Sequence, residues 1–69
     1  MSFKRVFSGD IYHVRKEKGW SQQYVADKTN ISVRQYQNIE KGGIVPYAST
    51  VFKLIKLFDM DANKYKDAF

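Results

Sequence analysis

A group of side chains that can form specific hydrogen bonds lies between positions 33 and 38. A guanidinium group donates in a fixed fork, and a carboxamide both donates and accepts, so each can bind one planar partner through two parallel hydrogen bonds. If a helix begins at Val33, four side chains point outward and a fifth lies near the edge. The four are Val33, Arg34, Gln37 and Asn38, and the fifth is Gln35. The residues alone leave two explanations open, an ordinary solvated helix surface and a binding surface.

The residue types that catalysis or metal binding needs are scarce. The chain has no cysteine and one histidine, His13, so it offers neither a thiolate metal site nor a catalytic triad. The segment Asp59–Asn63 imitates the start of a calcium-binding loop, but Lys64 stands where that loop needs glycine. We therefore expect no enzyme activity, no metal and no cofactor.

Apolar side chains recur at helical spacing along the whole chain, and short breaks separate the segments. Phe7, Ile11 and Val14, for example, share one face of a first helix. The predicted helices are a first that starts between Ser2 and Ser8 and ends at Gly19, a second from Gln22 to about Thr29, a third from Val33 to about Lys41, a fourth that includes Val51 to Phe58, and a fifth from Ala62 to about Ala68. No useful length of strand alternation occurs, so the expected fold class is all-α.

Serine residues precede the second and third helices, where a side-chain oxygen can accept a hydrogen bond from a free backbone N–H. Ser21 and Ser32 are the predicted N-caps. The joint at residues 30–32 is too short for antiparallel packing, so the two helices must cross steeply. Asn30 suits this joint because asparagine tolerates a left-handed backbone. The spacing predicts a helix-turn-helix over residues 22–41.

The length and the charge bound the class of protein. Sixty-nine residues make one domain, 1–69, and 12 Lys+Arg against 7 Asp+Glu give a net charge of +5. That excess fits a polyanionic partner and a merely basic surface equally well. No segment reaches the ~18–20 apolar residues of a membrane span, and we find no signal peptide, so we expect a cytoplasmic protein without membrane contact.

Several short motifs occur in a specific order and spacing over roughly residues 11–65. They are Val14-Arg15, Lys18-Gly19-Trp20-Ser21-Gln22, Val25-Ala26, Asn30-Ile31-Ser32, Ile39-Glu40-Lys41-Gly42 and Pro46. Together they resemble the Cro and lambda-repressor type of helix-turn-helix, also called the Xre family. Two positions depart from the family pattern. Asn30 replaces the usual glycine of the turn, and Tyr36 replaces an aliphatic residue, so we expect its ring between the helices and its hydroxyl at the rim.

The resemblance implies a compact five-helix, lambda-repressor-like domain whose third helix lies in the major groove of DNA. The implied base-reading residues are Val33, Arg34, Gln37 and Asn38. Arginine can bind O6 and N7 of guanine, a carboxamide can bind N6 and N7 of adenine, and valine can touch a thymine methyl.

The resemblance also implies contacts to the DNA backbone. Gln22 matches a phosphate-contacting position of the family, and a helix N-terminus favours an anion. The expected phosphate contacts are Gln22, Gln35, Lys41, Gly42 and Gly43, the two glycines through their amides. Lys4 and Arg5 could add an N-terminal clamp, although we favour simple solvation for that pair.

Two further features follow from the family pattern. Arg15 of the first helix is expected to form a partly buried ion pair with Glu40, which would fix the orientation of the third helix. Family members also dimerise through C-terminal elements, and the chain has more apolar residues there than one short helix needs. The expected dimer interface is Phe58, Met60, Tyr65 and Phe69.

The predicted function is sequence-specific regulation of transcription. We expect a nucleoid-associated homodimer that binds a pseudo-palindromic operator and represses by occluding a promoter. The alternative is a protein-interaction module, such as an antitoxin or a docking adaptor, because one fold can serve several functions. An RNA-binding domain is a weaker alternative, since we identify no exposed aromatic platform for stacked bases.

Overall fold

The computed structural model describes residues 2–66, which form four α-helices and a short 3₁₀ helix and contain no strand. The elements are α1 (Phe3–Lys18), α2 (Gln22–Thr29), α3 (Val33–Glu40), α4 (Ala48–Phe58) and the 3₁₀ helix (Ala62–Tyr65). The predicted all-α class agrees with this architecture. No helix in the described part of the chain is long and apolar enough to cross a membrane.

The last predicted helix differs from the structure in type. Residues Ala62–Tyr65 form a 3₁₀ helix instead of an α-helix, so the count of five α-helices is corrected to four over residues 2–66. The Asp61 side chain caps this helix by accepting a hydrogen bond from the N–H of Asn63 at 3.0 Å. Ala68, where the prediction ended, lies outside the described residues.

Local side-chain hydrogen bonds set the start of both helices of the central motif. Ser21 accepts from the N–H of Tyr24 at 3.0 Å, and Ser32 accepts from the N–H of Gln35 at 3.0 Å. Each bond satisfies a donor that a helix start leaves unpaired. Between the helices, Asn30 has the left-handed φ of 58° that its residue type tolerates. The caps thus restrict the joint to three residues and force the two helices to cross.

Buried apolar side chains from all four α-helices and the 3₁₀ helix form one cluster. Its members are Phe3, Phe7, Ile11, Val25, Ala26, Tyr36, Ile39, Val51, Leu54, Phe58 and Tyr65. Both α3 and α4 pack against α1 and α2. Only Tyr36 and Ile39 of α3 are buried, so the opposite face of this helix remains at the surface.

The C-terminal aromatic residues belong to this core, which corrects the expected dimer interface. Tyr65 is 1% exposed, and its ring meets those of Phe3 and Phe7 edge-on at 5.5 and 5.4 Å. Phe58 is 2% exposed and stacks on Trp20. Side chains that are buried within one chain offer no surface to a second.

The other two residues of that expected interface have different outcomes. Met60 is half-buried and packs against the same core, so little of its side chain is left for a partner. Phe69 lies outside the described residues.

Candidate nucleic-acid interface

The outer face of α3 carries polar side chains at the surface of the molecule. Arg34 and Gln37 are exposed, and Asn38 is half-buried. Within residues 2–66, neither the Arg34 guanidinium nor the Asn38 carboxamide forms a hydrogen bond or an ion pair. Their donors and acceptors are therefore available to a partner. Val33 is only partly available, because it packs partly against the core.

A chain of hydrogen bonds connects the exposed Gln37 to a buried carboxylate. The Gln37 Nε2 donates to Oε1 of Gln22 at 3.1 Å, and the Gln22 Nε2 donates to Oε1 of Glu40 at 3.2 Å. Each bond restricts one carboxamide to a single orientation. The Gln37 side chain is consequently held in place at the surface, whereas Arg34 is free to adapt.

The carboxylate at the end of this chain is bound by Arg15 of α1. Arg15 donates from Nε and Nη2 to the two oxygens of Glu40 at 2.8 and 2.7 Å, and the two side chains are 9% and 6% exposed. A third donor, Nη1, binds the carbonyl of Trp20 at 2.9 Å. A bidentate salt bridge is more directional than a pair joined by one hydrogen bond. It joins the C-terminal end of α3 to α1.

Electrostatics in this region favour the ionised pair. Burial alone would raise the pKa of Glu40, but the hydrogen bonds from Arg15, the nearby Tyr36 hydroxyl and the hydrogen bond from Gln22 together hold it below its ordinary value. The hydrogen bond to Glu40 raises the pKa of Arg15 against the opposing effect of burial. Both groups therefore keep their charges throughout the neutral range.

Tyr36 corrects an expectation about the helix contact. Its ring is fully buried, and its hydroxyl lies in the interior beside the Arg15–Glu40 pair instead of at the rim. That hydroxyl finds no hydrogen-bond partner within residues 2–66. Burial is the main reason that the pKa of Tyr36 is raised well above its ordinary value.

A helix-turn-helix family model matches residues 11–64, which is most of the chain and includes α2, α3 and the joint between them. This chain belongs to the Cro/C1-type, Xre-like helix-turn-helix family. The family is one of DNA-binding regulators and not of enzymes. No significant match to a curated protein or to a solved structure was found.

The start of α2 presents donors that suit the phosphate contact expected of this helix-turn-helix protein. The Ser21 hydroxyl oxygen accepts a hydrogen bond from the N–H of Tyr24. The N–H groups of Gln22 and Gln23 have no partner within residues 2–66. Free N–H groups at a helix start attract anions. Gln35 is less suited, because its N–H is already bound by Ser32 and its side chain is half-buried.

The end of α3 corrects the expected role of the two glycines. The N–H of Gly42 donates to the carbonyl of Ile39, and the N–H of Gly43 donates to the carbonyl of Asn38, both at 3.0 Å. Both amides complete the last turn of the helix and are not free to bind phosphate. The Lys41 side chain is exposed and keeps its expected availability.

Sequence reasoning missed an apolar surface next to the motif. Val45, Tyr47 and Phe52 are 69%, 78% and 63% exposed. Val45 and Phe52 border a groove between α4 and the start of α1. A detectable signal was present, because three large apolar residues at 44, 45 and 47 lie in a loop and not on a helix face. Contiguous exposed apolar side chains commonly mark an interaction surface. We call Val45, Tyr47 and Phe52 the apolar surface.

Exposed aromatic rings also occur, contrary to the sequence analysis. Tyr12 and Tyr24 are 42% and 39% exposed. The ammonium groups of Lys16 and Lys28 lie over the two rings, 5.8 and 5.4 Å from their centres. One face of each ring is thus already occupied by a cation of the same chain, which makes a poor platform for stacked bases.

Proposed function

We propose that this protein is a sequence-specific transcriptional regulator that inserts α3 into the major groove of DNA. The observation that carries this proposal is the outer face of α3, where the Arg34 and Asn38 side chains have no partner among residues 2–66 and Gln37 is held in one orientation. The major groove is about 12 Å wide and admits an α-helix. An α-helix with its side chains is about 10–12 Å across, so α3 fits that width.

We assign the base contacts according to chemistry and position. Arg34 binds O6 and N7 of a guanine, and Gln37 or Asn38 binds N6 and N7 of an adenine. The exposed part of Val33 touches a thymine methyl. Gln22 binds the backbone at the start of α2, where its free N–H supports the contact.

We further propose that the protein binds a two-fold-symmetric operator as a homodimer. The apolar surface is the part of the chain that a second copy would cover, because its three large side chains otherwise remain in water. Burying them would release ordered water and stabilise the pair. The regulator then represses by occupying promoter DNA on the nucleoid and excluding other proteins from it.

Selection of bound duplexes from a random pool tests the proposal directly. We expect a consensus of two inverted half-sites whose centres are about 10 base pairs apart, one turn of DNA. Affinity for the selected duplex should fall steeply with salt. An interaction module would instead bind selected and random duplexes alike, and that result would refute the proposal.

The oligomeric state on DNA tests the dimer separately. Phe52→Asp places a charge on the apolar surface and should reduce the two-chain complex to one chain per half-site in sedimentation experiments on the operator. Tyr12→Asp, a matched change of an exposed aromatic residue on α1, should leave two chains bound. If the operator still binds two chains of Phe52→Asp, as of Tyr12→Asp, dimerisation uses a different surface.

A further inference from the structure

A cleft lined by positively charged side chains lies where the first turn of α1 meets the end of α3. The lining residues of this cleft are Ser2, Lys4, Arg5, Ser8, Lys41 and Gly42. Three of them are cations, and none of the three forms an ion pair with any residue from 2 to 66. Among the described residues, no carboxylate lines the cleft. We call these six residues the basic cleft.

Gly42 allows the two helices to approach each other at this point. Its φ is +76°, and a Cβ built on it would lie 3.3 Å from the Ser8 hydroxyl oxygen. Any larger residue would therefore be strained and would press against α1. Because Gly42 has no side chain, the end of α3 packs closely against α1, and Lys41 lines the same cleft as Lys4 and Arg5.

The charges of the cleft are arranged against the usual preference of a helix. The N-terminus of a helix carries a partial positive charge, so acidic residues are favoured in its first turn. The first turn of α1 has no acidic residue and contains Lys4 and Arg5 instead. No carboxylate within residues 2–66 forms an ion pair with either cation, and a bound anion would offset this repulsion. The Ser2 oxygen accepts from the N–H of Arg5 at 3.3 Å, so the Ser2 hydroxyl proton is available to that anion.

The position of the cleft identifies the source of the anion. Lys41, the C-cap of α3, follows Arg34 by seven residues, and its N–H still donates to the carbonyl of Gln37 at 3.1 Å. The two residues therefore lie about two helical turns apart on the same side of the helical path. They are separated by about 10 Å along the helix axis. The basic cleft therefore begins where the proposed base-reading face ends, on the side where the DNA backbone that borders the groove would run.

We propose that the basic cleft binds one phosphate diester of the DNA backbone, with Lys4, Arg5 and Lys41 as its cationic contacts. This inference rests on the proposed DNA binding. It adds α1 to the DNA-binding surface and assigns the α1 cations a partner outside the chain. A free inorganic phosphate has the same chemistry and is the alternative occupant.

The salt dependence of DNA affinity tests this contact. In Lys4→Gln/Arg5→Gln, the slope of log affinity against log salt should become less steep by about 0.9, the value of one neutralised phosphate. Affinity should fall by the same factor on the selected operator and on a random duplex, because phosphates carry no sequence information. The matched control, Lys53→Gln/Lys56→Gln on α4, removes two exposed charges and should keep the wild-type slope.

Neutral phosphate analogues locate the contact on the DNA. Single methylphosphonates placed along each strand should include one position that weakens the wild type but not the Lys4→Gln/Arg5→Gln variant. Thermal unfolding of the variant should occur at or above the wild-type temperature, since the change relieves repulsion at the start of α1. This measurement separates a lost contact from a damaged fold.

The outcomes distinguish this inference from the proposed function. An unchanged salt slope in the variant, with specific binding by the wild type, overturns the inference and leaves DNA recognition standing. If no methylphosphonate position discriminates the two proteins, the inference is also overturned. A titration with millimolar inorganic phosphate could instead shift the amide NMR signals of Lys41 and Gly42 to a plateau. That result, together with an unchanged salt slope, would assign the cleft to a free anion. Failure of the wild type to bind any duplex would refute both proposals.

Discussion

Two carboxylate contacts join α1 to other elements, and they differ chiefly in how much water reaches them. At one end of α1, Arg15 binds Glu40 of α3 with side chains that are 9% and 6% exposed. Nearer its middle, Asp10 binds Lys64 at 2.9 Å, where the lysine side chain is 57% exposed and the aspartate 24%. Asp10 also accepts from the Tyr65 hydroxyl at 2.7 Å.

The difference shows which contact can determine geometry. Water and salt screen an exposed pair, so its partners can separate at little cost. A buried pair costs desolvation to form but cannot be half broken without leaving a bare charge in the interior. The Arg15–Glu40 pair therefore fixes α3 relative to α1, and Gln22 extends that constraint to Gln37. The Asp10 contact fastens only the C-terminal 3₁₀ helix.

Breaking the buried pair should have the largest effect. Glu40→Ala leaves the Arg15 guanidinium buried without its partner and should lower the free energy of unfolding by about 3 kcal/mol. Urea unfolding followed by circular dichroism measures the change. The apolar double variant Arg15→Met/Glu40→Met should recover much of the loss, because it buries no charge. A loss under about 1 kcal/mol for Glu40→Ala would mean that the pair is effectively solvated.

Protonation should weaken the same contact more gently. The pKa of Glu40 is lowered in the folded state, so its stabilisation is present above its ordinary value of about 4.5 and is lost as the pH falls through the lowered value. The pKa of Tyr36 is raised by burial, so stability should also fall as the pH rises above about 10. Unfolding free energies measured across this range should form a plateau with two descending limbs. A Glu40→Gln variant that keeps the full acid limb would contradict the assignment.

Removing the buried Tyr36 hydroxyl should raise the stability of the fold, which is the opposite of the effect of breaking the ion pair. Tyr36→Phe keeps the ring and deletes a buried polar group that has no hydrogen-bond partner within residues 2–66. It should raise the free energy of unfolding by about 1 kcal/mol, since such a group costs about 1–3 kcal/mol to bury. The midpoint of urea unfolding gives the sign. A destabilised variant would show that the hydroxyl supports the Arg15–Glu40 pair.

The exposed contact should matter least. Lys64→Ala removes one partner of Asp10 and should change the free energy of unfolding by less than about 1 kcal/mol, with the difference vanishing in high salt. DNA affinity, which we propose depends on α3, should change no more than in the exposed-lysine control Lys56→Ala. An effect as large as that of Glu40→Ala would remove the distinction between the two contacts.

Sequence patterns predicted those parts of the fold that depend on neighbouring residues. Ser21, Ser32 and Asn30 act through bonds and backbone angles within a few residues, so their positions specify the caps and the joint. The glycine pair after α3 carried a local signal too, since glycines at a helix end commonly donate back to its last carbonyls.

The remaining differences depend on tertiary packing. The direction in which the chain turns after α4 decides whether Phe58 and Tyr65 finish the core or form a surface, and periodicity contains no such information. The Tyr36 hydroxyl was expected at the rim because the sequence does not show how deeply α3 sits against α1. The meeting of Lys41 with Lys4 and Arg5 likewise requires the folded chain.

The base preference of the Arg34→Ala variant tests the central claim most directly. Affinities of the wild type and the variant are measured for the selected operator and for every single base-pair change in it. The variant should lose about 1–3 kcal/mol of discrimination at one guanine position of each half-site and keep the wild-type preferences elsewhere. An unchanged preference at every position would contradict the assignment of α3 as the helix that reads DNA.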